Sequence, residues 1–142
     1  MAKLARADLA LQAKRTAEAV AGFRSIANDA KAPKPLRDLA LVRQTAIEFD
    51  QLKPVDVIER MKPLAVEGGP WFGSAGEMLA VAYLNDGKAD LAAPLFAAIA
   101  RDESMPSTLR ARAAQVASQH GIDVLPPEQA VEGQTTQTGA TQ

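Results

Sequence analysis

The chain contains a single histidine, His120, and no cysteine. A histidine can serve as a general base or a metal ligand, but no second ligand lies at helical spacing from His120. Gly121 follows it, and a helix that ends at glycine with histidine in its last turn is a common capping arrangement. We interpret His120 as a helix cap. The absence of cysteine excludes thiolate catalysis and thiolate-bound zinc.

The segment 68–76 is rich in glycine, as a phosphate-binding loop would be, but it contains no lysine and does not end in Gly-Lys-Ser/Thr. We interpret it as a loop whose Trp71 and Phe72 pack one helix pair onto the preceding one; stacking of a ligand on Trp71 is the alternative. Asp86 and Asp90 are typical of turn and first-turn positions. The sequence therefore predicts no catalytic residue, metal site or cofactor, and we expect a protein that is not an enzyme.

The composition of the 142 residues indicates one helical domain. Hydrophobic residues make up 47% and aromatic residues only 4%, and alanine occupies 29 positions, which favours closely packed helices over sheets. The net charge of -1 argues against nucleic-acid binding. No apolar run reaches the ~18 residues of a membrane helix, so we expect no membrane insertion by this segment. The N-terminal residues lack the apolar core of a signal peptide, so any export signal or anchor is expected upstream of residue 1.

Helix-breaking residues divide the chain at regular intervals. Prolines, glycines and an Asn-Asp-Gly turn separate stretches of about 12 to 16 residues in which apolar residues recur at spacings of three and four, without the alternation of a β-strand. We expect the segment 123–142 to form a disordered polar tail, because Val131 is the only large aliphatic residue after Leu125. We predict an all-α domain at 1–122 with seven helices, at about 2–13, 16–30, 34–50, 54–66, 71–85, 88–102 and 106–119.

The sequence matches itself without gaps when it is shifted by 73 residues. This shift is about twice the 34-residue period of a helix-turn-helix repeat, and Met61 marks a middle copy between Phe23 and Phe96. The matched positions continue through a helix, a loop and the next helix. They include Leu11–Leu84, Ala19–Ala92, Phe23–Phe96, Ile26–Ile99, Asp29–Asp102, Pro33–Pro106, Arg37–Arg110 and Ala40–Ala113.

The third copy resembles the tetratricopeptide repeat, because Leu79, Ala80, Tyr83, Ala92 and Phe96 fall at its characteristic large and small positions. Small alanines let two antiparallel helices approach closely, while the aromatic side chains fill the space beside them. The resemblance implies a right-handed superhelical solenoid of about three tetratricopeptide-like helix hairpins plus a C-terminal capping helix at 106–119.

A narrower resemblance covers about residues 4–120. The segments 36–40 (LRDLA), 69–71 (GPW), 75–80 (AGEMLA) and 110–113 (RARA) look like the tetratricopeptide-like domain of the YfgM-type ancillary subunits of the SecYEG translocon. This resemblance implies a binding scaffold that contacts translocon or periplasmic chaperone components and has no catalytic residues. Family members carry one N-terminal membrane anchor, which this segment lacks. We therefore expect the periplasmic face of the inner membrane if an anchor precedes residue 1, and the cytoplasm otherwise.

The first helix of each hairpin lines the concave face of such a solenoid, so we expect peptide-binding residues there. Projection of the third-copy register onto the other first helices gives a groove of mixed charge with the aliphatic residues Leu41, Val81 and Leu84. The candidate binding residues are Asp8, Gln12, Lys34, Arg37, Gln44, Glu77, Asn85 and Arg110.

Two readings remain open for Arg37 and Arg110. Each could bind a peptide carboxylate bidentately, or each could pair with Asp29 or Asp102 at the end of the preceding helix, which their equivalent repeat positions favour. The leading hypothesis is a non-enzymatic scaffold for protein segments. The alternative hypothesis is a structural module that forms homo-oligomers through an incompletely capped N-terminal edge.

Overall fold

The computed structural model of the chain describes residues 2–124. These residues form seven α-helices and no strand, and helices that follow one another in sequence pack together, which confirms the prediction of an all-α fold. The expected polar tail lies outside the described residues from residue 125 onward. The helices are α1 (Ala2–Gln12), α2 (Thr16–Ala27), α3 (Lys34–Glu48), α4 (Pro54–Met61), α5 (Phe72–Asn85), α6 (Ala89–Arg101) and α7 (Ser107–Gln119).

Every predicted helix is present, with ends that differ by a few residues. α2 ends at Ala27 and not near residue 30, because the Asp29 carboxylate accepts the backbone N–H of Lys31 at 2.9 Å and turns the chain. α4 ends at Met61 and not near residue 66, because Pro63 has no N–H to donate to a helical carbonyl. Short-range side-chain chemistry therefore sets both ends.

Two apolar clusters hold the helices together. The smaller cluster joins α1, α2 and α3 around Phe23, and the larger one extends from α3 to α7 around Met61 and Phe96. α3 belongs to both, since it contributes Ala40 to the first cluster and Val42 to the second. Within residues 2–124, no helix combines the length and the hydropathy that crossing a bilayer requires.

The ends of α1 and α5 have the same backbone conformation, 73 residues apart. Lys14 has a φ of +60° and Gly87 a φ of +73°, both in the left-handed region. The N–H of Arg15 donates to the Ala10 carbonyl at 2.8 Å, and the residue after Gly87 makes the corresponding bond, also at 2.8 Å. This six-to-one hydrogen bond defines the Schellman C-cap.

The second helix of each copy and the loop after it repeat in the same way. Phe23 and Phe96 are 0% and 3% exposed. Asp29 and Asp102 each accept a hydrogen bond from the backbone N–H two residues later, at 2.9 and 3.0 Å. The 73-residue match in the sequence is therefore also a match in turns and in buried positions.

Candidate functional site

α1 and α3 are joined by an ion pair between Asp8 and Arg43. The Arg43 guanidinium also lies 6.0 Å from the centroid of the Phe23 ring, close enough for a cation to be attracted to the aromatic face. These two contacts fix the guanidinium at the surface, above the smaller apolar cluster.

A shallow, open groove of about 300 Å³ lies between α5 and the C-terminal end of α3. Its walls combine apolar side chains with two carboxylates, a mixture typical of sites that bind peptides or small ligands. The lining residues are Ala46, Phe49, Asp50, Glu77, Met78 and Val81.

α5 and α7 are joined by Glu77 and Arg112. The Arg112 Nη2 and Nε atoms lie 2.7 and 2.8 Å from the same Glu77 Oε1 atom. The two ion pairs and the α3–α5 groove thus connect α1, α3, α5 and α7 in order. We call this surface, defined by Asp8, Arg43, Asp50, Glu77 and Arg112 together with the groove, the first-helix row.

Four of the eight sequence-predicted binding residues belong to the helix faces or ends along this row. Asp8 and Glu77 form its two ion pairs. Gln12 and Asn85 are exposed at the last positions of α1 and α5. Among the aliphatic residues expected beside them, Val81 lines the α3–α5 groove.

Lys34 and Arg37 lie elsewhere on α3. Lys34 lines a different groove, between α3 and α4, together with Leu41, and its Nζ lies 2.6 Å from the Asp38 Oδ2 atom. Arg37 is partly buried, and its Nε atom has no hydrogen-bond partner among residues 2–124. The structure therefore does not bring these two residues to the α3–α5 groove.

Gln44 and Arg110 are buried, with exposed fractions of 4% and 7%. Gln44 Nε2 donates to Glu48 Oε2 at 3.2 Å, and Arg110 Nε donates to the Ala100 carbonyl near the end of α6, also at 3.2 Å. Buried polar groups need partners of this kind. Both side chains lie inside the fold and do not line the α3–α5 groove, and Arg110 Nη2 has no hydrogen-bond partner among residues 2–124.

Glu48 is a polar junction between three helices. It accepts from Arg24 of α2 at 3.0 Å and from Arg60 of α4 at 2.8 Å, in addition to Gln44. Burial acts to raise the pKa of Glu48, but the hydrogen bond and charge of Arg60, the Gln44 bond and the charge of Arg24 together lower that pKa below its usual value. Glu48 is therefore ionised at neutral pH, and it ties α2, α3 and α4 together.

The suggested pairing of Arg110 with Asp102 has an electrostatic component. The pKa of Asp102 is lowered first by the Ser104 hydroxyl, which donates at 2.6 Å, then by the Ser104 backbone N–H at 3.0 Å, and to a smaller extent by the charge of Arg110. The direct hydrogen bond of Arg110 goes to Ala100 instead. Arg110 thus caps the end of α6.

The residues singled out first in the sequence occupy structural positions. Phe72 is 1% exposed, and Trp71 packs against the larger apolar cluster, as the packing interpretation predicts. His120 is the C-cap residue of α7, and Gly121 after it has a φ of +90°. His120 therefore occupies the C-cap position that the sequence predicted.

Three charged residues of the first-helix row were missed in the sequence: Arg43, Asp50 and Arg112. A signal for two of them exists, because Asp8–Arg43 and Glu77–Arg112 each span 35 residues. This spacing is close to one tetratricopeptide period, so opposite charges at this spacing on first helices predict neighbours.

Comparison with protein-family profiles, with curated proteins and with solved structures finds no match to this chain.

Proposed function

We propose that this protein is a non-enzymatic scaffold that binds segments of other proteins along the first-helix row. The observation that carries the proposal is the continuity of this surface across four helices, with a groove of mixed apolar and acidic lining between the two ion pairs. A surface of this length can contact an extended segment at several points, and its fixed side chains reduce the entropy lost on binding.

The proposed architecture is a right-handed solenoid of three hairpins, α1–α2, α3–α4 and α5–α6, with α7 as a capping helix. The internal repeat supports the capping role, because α3 and α7 occupy equivalent positions. Val42 and Thr45 of α3 are buried, whereas Gln115 and Ser118, 73 residues later, are exposed and polar. A polar outer face is what the terminal helix of a repeat stack requires.

The resemblance to YfgM-type subunits supports a role in the cell envelope, with partners among secretion or folding components. We propose that the domain lies on the periplasmic face of the inner membrane, behind an upstream anchor, and assists the secretion or folding of exported proteins. A pull-down from envelope extract, with the protein in its natural full-length form, tests this role. Recovery of a translocon or chaperone component is expected, and recovery of neither contradicts the proposal.

A matched pair of variants ties the pull-down to the surface. Val81→Arg places a cation in the α3–α5 groove, whereas Leu91→Arg makes the same type of change at an exposed position of α6. We expect Val81→Arg to abolish recovery of the partner and Leu91→Arg to leave it unchanged. Equal recovery of the partner with both variants would show that the partner does not bind along the first-helix row.

Self-association is the second candidate. Leu9 and Leu11 of α1 are 60% and 39% exposed, and such leucines favour contact between copies. However, Lys3, Arg6 and Glu18 lie along the outer groove between α1 and α2, and these charges suit a solvent-facing end. Sedimentation at high concentration separates the two candidates, because a scaffold with capped ends stays monomeric.

A further inference from the structure

A second groove, of about 710 Å³, lies between α3 and α4, and we call it the α3–α4 groove. α3 and α4 meet over less of their length than the helices of the α1–α2 and α5–α6 hairpins do. The space that they leave open is lined from both helices and from the turn after α4. The lining residues are Lys34, Asp38, Leu41, Asp56, Glu59, Arg60, Pro63 and Leu64.

Arg60 lines this groove at a repeat position where the other copies differ. In the α1–α2 hairpin the corresponding repeat position is Gly22, where an added Cβ would lie 3.0 Å from the Ala7 Cβ, so those helices approach closely. In the α5–α6 hairpin the corresponding residue is Leu95, a large side chain, and those helices still pack closely. The Arg60 side chain extends to Glu48, with 2.8 Å between Nη1 and Oε2.

The α3–α4 groove carries an unbalanced negative charge. Lys34 pairs with Asp38, and Arg60 shares Glu48, which lies outside the lining, with Arg24. The lining therefore holds three carboxylates and two cations. Among residues 2–124, neither Asp56 nor Glu59 forms an ion pair. These two carboxylates lie three residues apart on α4, about 4.5 Å along the helix axis.

The same groove has an apolar component. Leu41 is partly exposed, Leu64 is 8% exposed, and both pack on the larger apolar cluster. Pro63 adds ring carbons beside them. The groove therefore offers contact for aliphatic side chains beside two carboxylates that lack a cation.

We propose that the α3–α4 groove docks a short basic segment of a partner protein, in which an aliphatic side chain lies between two lysines or arginines. Charge complementarity argues for this occupant, because each cation would meet one of the two unpaired carboxylates. It argues against the chain's own C-terminal residues, since the segment 125–142 contains two glutamates and no lysine or arginine. The site is separate from the first-helix row and rests on the proposed function only in that both surfaces bind protein segments.

The probe for this site is a synthetic twelve-residue helical peptide of alanine and leucine with lysines three residues apart, titrated into the full chain. Binding is expected to shift the NMR signals of Leu41 and Leu64. Removing both unpaired charges, with Asp56→Asn and Glu59→Gln together, should weaken binding about fivefold or more. The matched control, Asp90→Asn with Glu103→Gln, removes two exposed charges elsewhere and should leave affinity unchanged. Circular dichroism of both double variants checks that the fold is retained.

Four results would overturn the inference. They are equal affinity of the two double variants, shifts at Val81 in place of Leu41, no binding of the peptide at all, and equally tight binding of a peptide with glutamate in place of lysine.

Peptide binding that appears only after deletion of 125–142 would identify the chain's own C-terminus as the occupant, and dimerisation lost in the Asp56/Glu59 variant would identify a second copy. Either of these also refutes the proposed occupant. An unchanged envelope pull-down alongside failed peptide binding would refute only this inference and not the scaffold function.

Discussion

The left-handed residue that ends α1 offers a direct test of the internal repeat. Lys14 and Gly87 occupy the same C-cap position, 73 residues apart, but only glycine adopts a positive φ without steric cost. A lysine there brings its Cβ close to the backbone carbonyl oxygen. We therefore expect Lys14→Gly to stabilise the protein and Gly87→Lys to destabilise it.

The magnitude follows from the surroundings of the two positions. A Cβ added at Gly87 would meet no atom within 4 Å, so Gly87→Lys costs only the backbone conformation, about 1 to 2 kcal/mol. Loss of the glycine entropy from the unfolded chain reduces this to a net cost of about 0.5 to 1 kcal/mol. Lys14→Gly removes the same backbone strain, but glycine also raises the conformational entropy of the unfolded chain. The free energy of unfolding is therefore expected to rise by about 0.5 to 1 kcal/mol.

Urea unfolding followed by circular dichroism at 222 nm measures both changes, with the slope of unfolding free energy against urea expected to stay constant. Lys14→Ala is the control, because alanine removes the charge but keeps the Cβ and its strain. The reasoning fails if Lys14→Gly is no more stable than Lys14→Ala, or if Gly87→Lys leaves the free energy of unfolding unchanged.

Three further predictions use the same unfolding assay. Glu48→Gln should cost about 1 to 3 kcal/mol at pH 7, because it weakens charge-assisted bonds to two arginines. The pKa of Glu48 is lower in the folded state than in the unfolded state. The stabilisation that ionised Glu48 provides is therefore complete above the unfolded pKa of about 4.3 and disappears as the pH falls through the folded pKa. A difference in unfolding free energy between Glu48→Gln and wild type that persists undiminished at pH 2 would contradict this. Pro94→Ala should raise stability by about 1 to 3 kcal/mol, because Pro94 lies inside α6, where it removes a helical hydrogen bond; a loss of stability would show that the proline is required. Phe23→Ala and Phe96→Ala should each cost about 3 to 5 kcal/mol, and a small effect for only one of them would contradict their equivalence.

The helices could be predicted from the sequence because each has its own apolar periodicity and its own breaking residues. The 73-residue repeat also predicts that residues 73 apart occupy equivalent structural positions. The structure confirms this for the C-caps at Lys14 and Gly87 and for the buried Phe23 and Phe96. The errors lie at helix ends such as that of α2, where a single side chain, Asp29, turns the chain. Short-range patterns do not fix the last turn of a helix.

The candidate site was predicted less well, because it depends on how each helix is rotated about its axis. Projection from the third copy put Gln44 and Lys34 on one face of α3. In the structure Gln44 is buried beside Glu48, and Lys34 faces the α3–α4 groove. The rotation of α3 about its axis is set by its contacts with α1, α2, α4 and α5 together. Because the middle copy of the repeat differs from the other copies, their register does not predict this rotation. Arg60, which stands where the other copies have Gly22 and Leu95 and which pairs with Glu48, is such a difference.

Site-specific photo-crosslinking tests the central claim of a protein-binding first-helix row most directly. A crosslinking residue at Asn85, at the end of α5, is compared with one at Glu103, beyond the end of α6, in the natural full-length protein within cells. The scaffold account predicts a crosslink from position 85 to a translocon or chaperone component and none from position 103. Crosslinks of equal yield from both positions, or from position 103 alone, would contradict it.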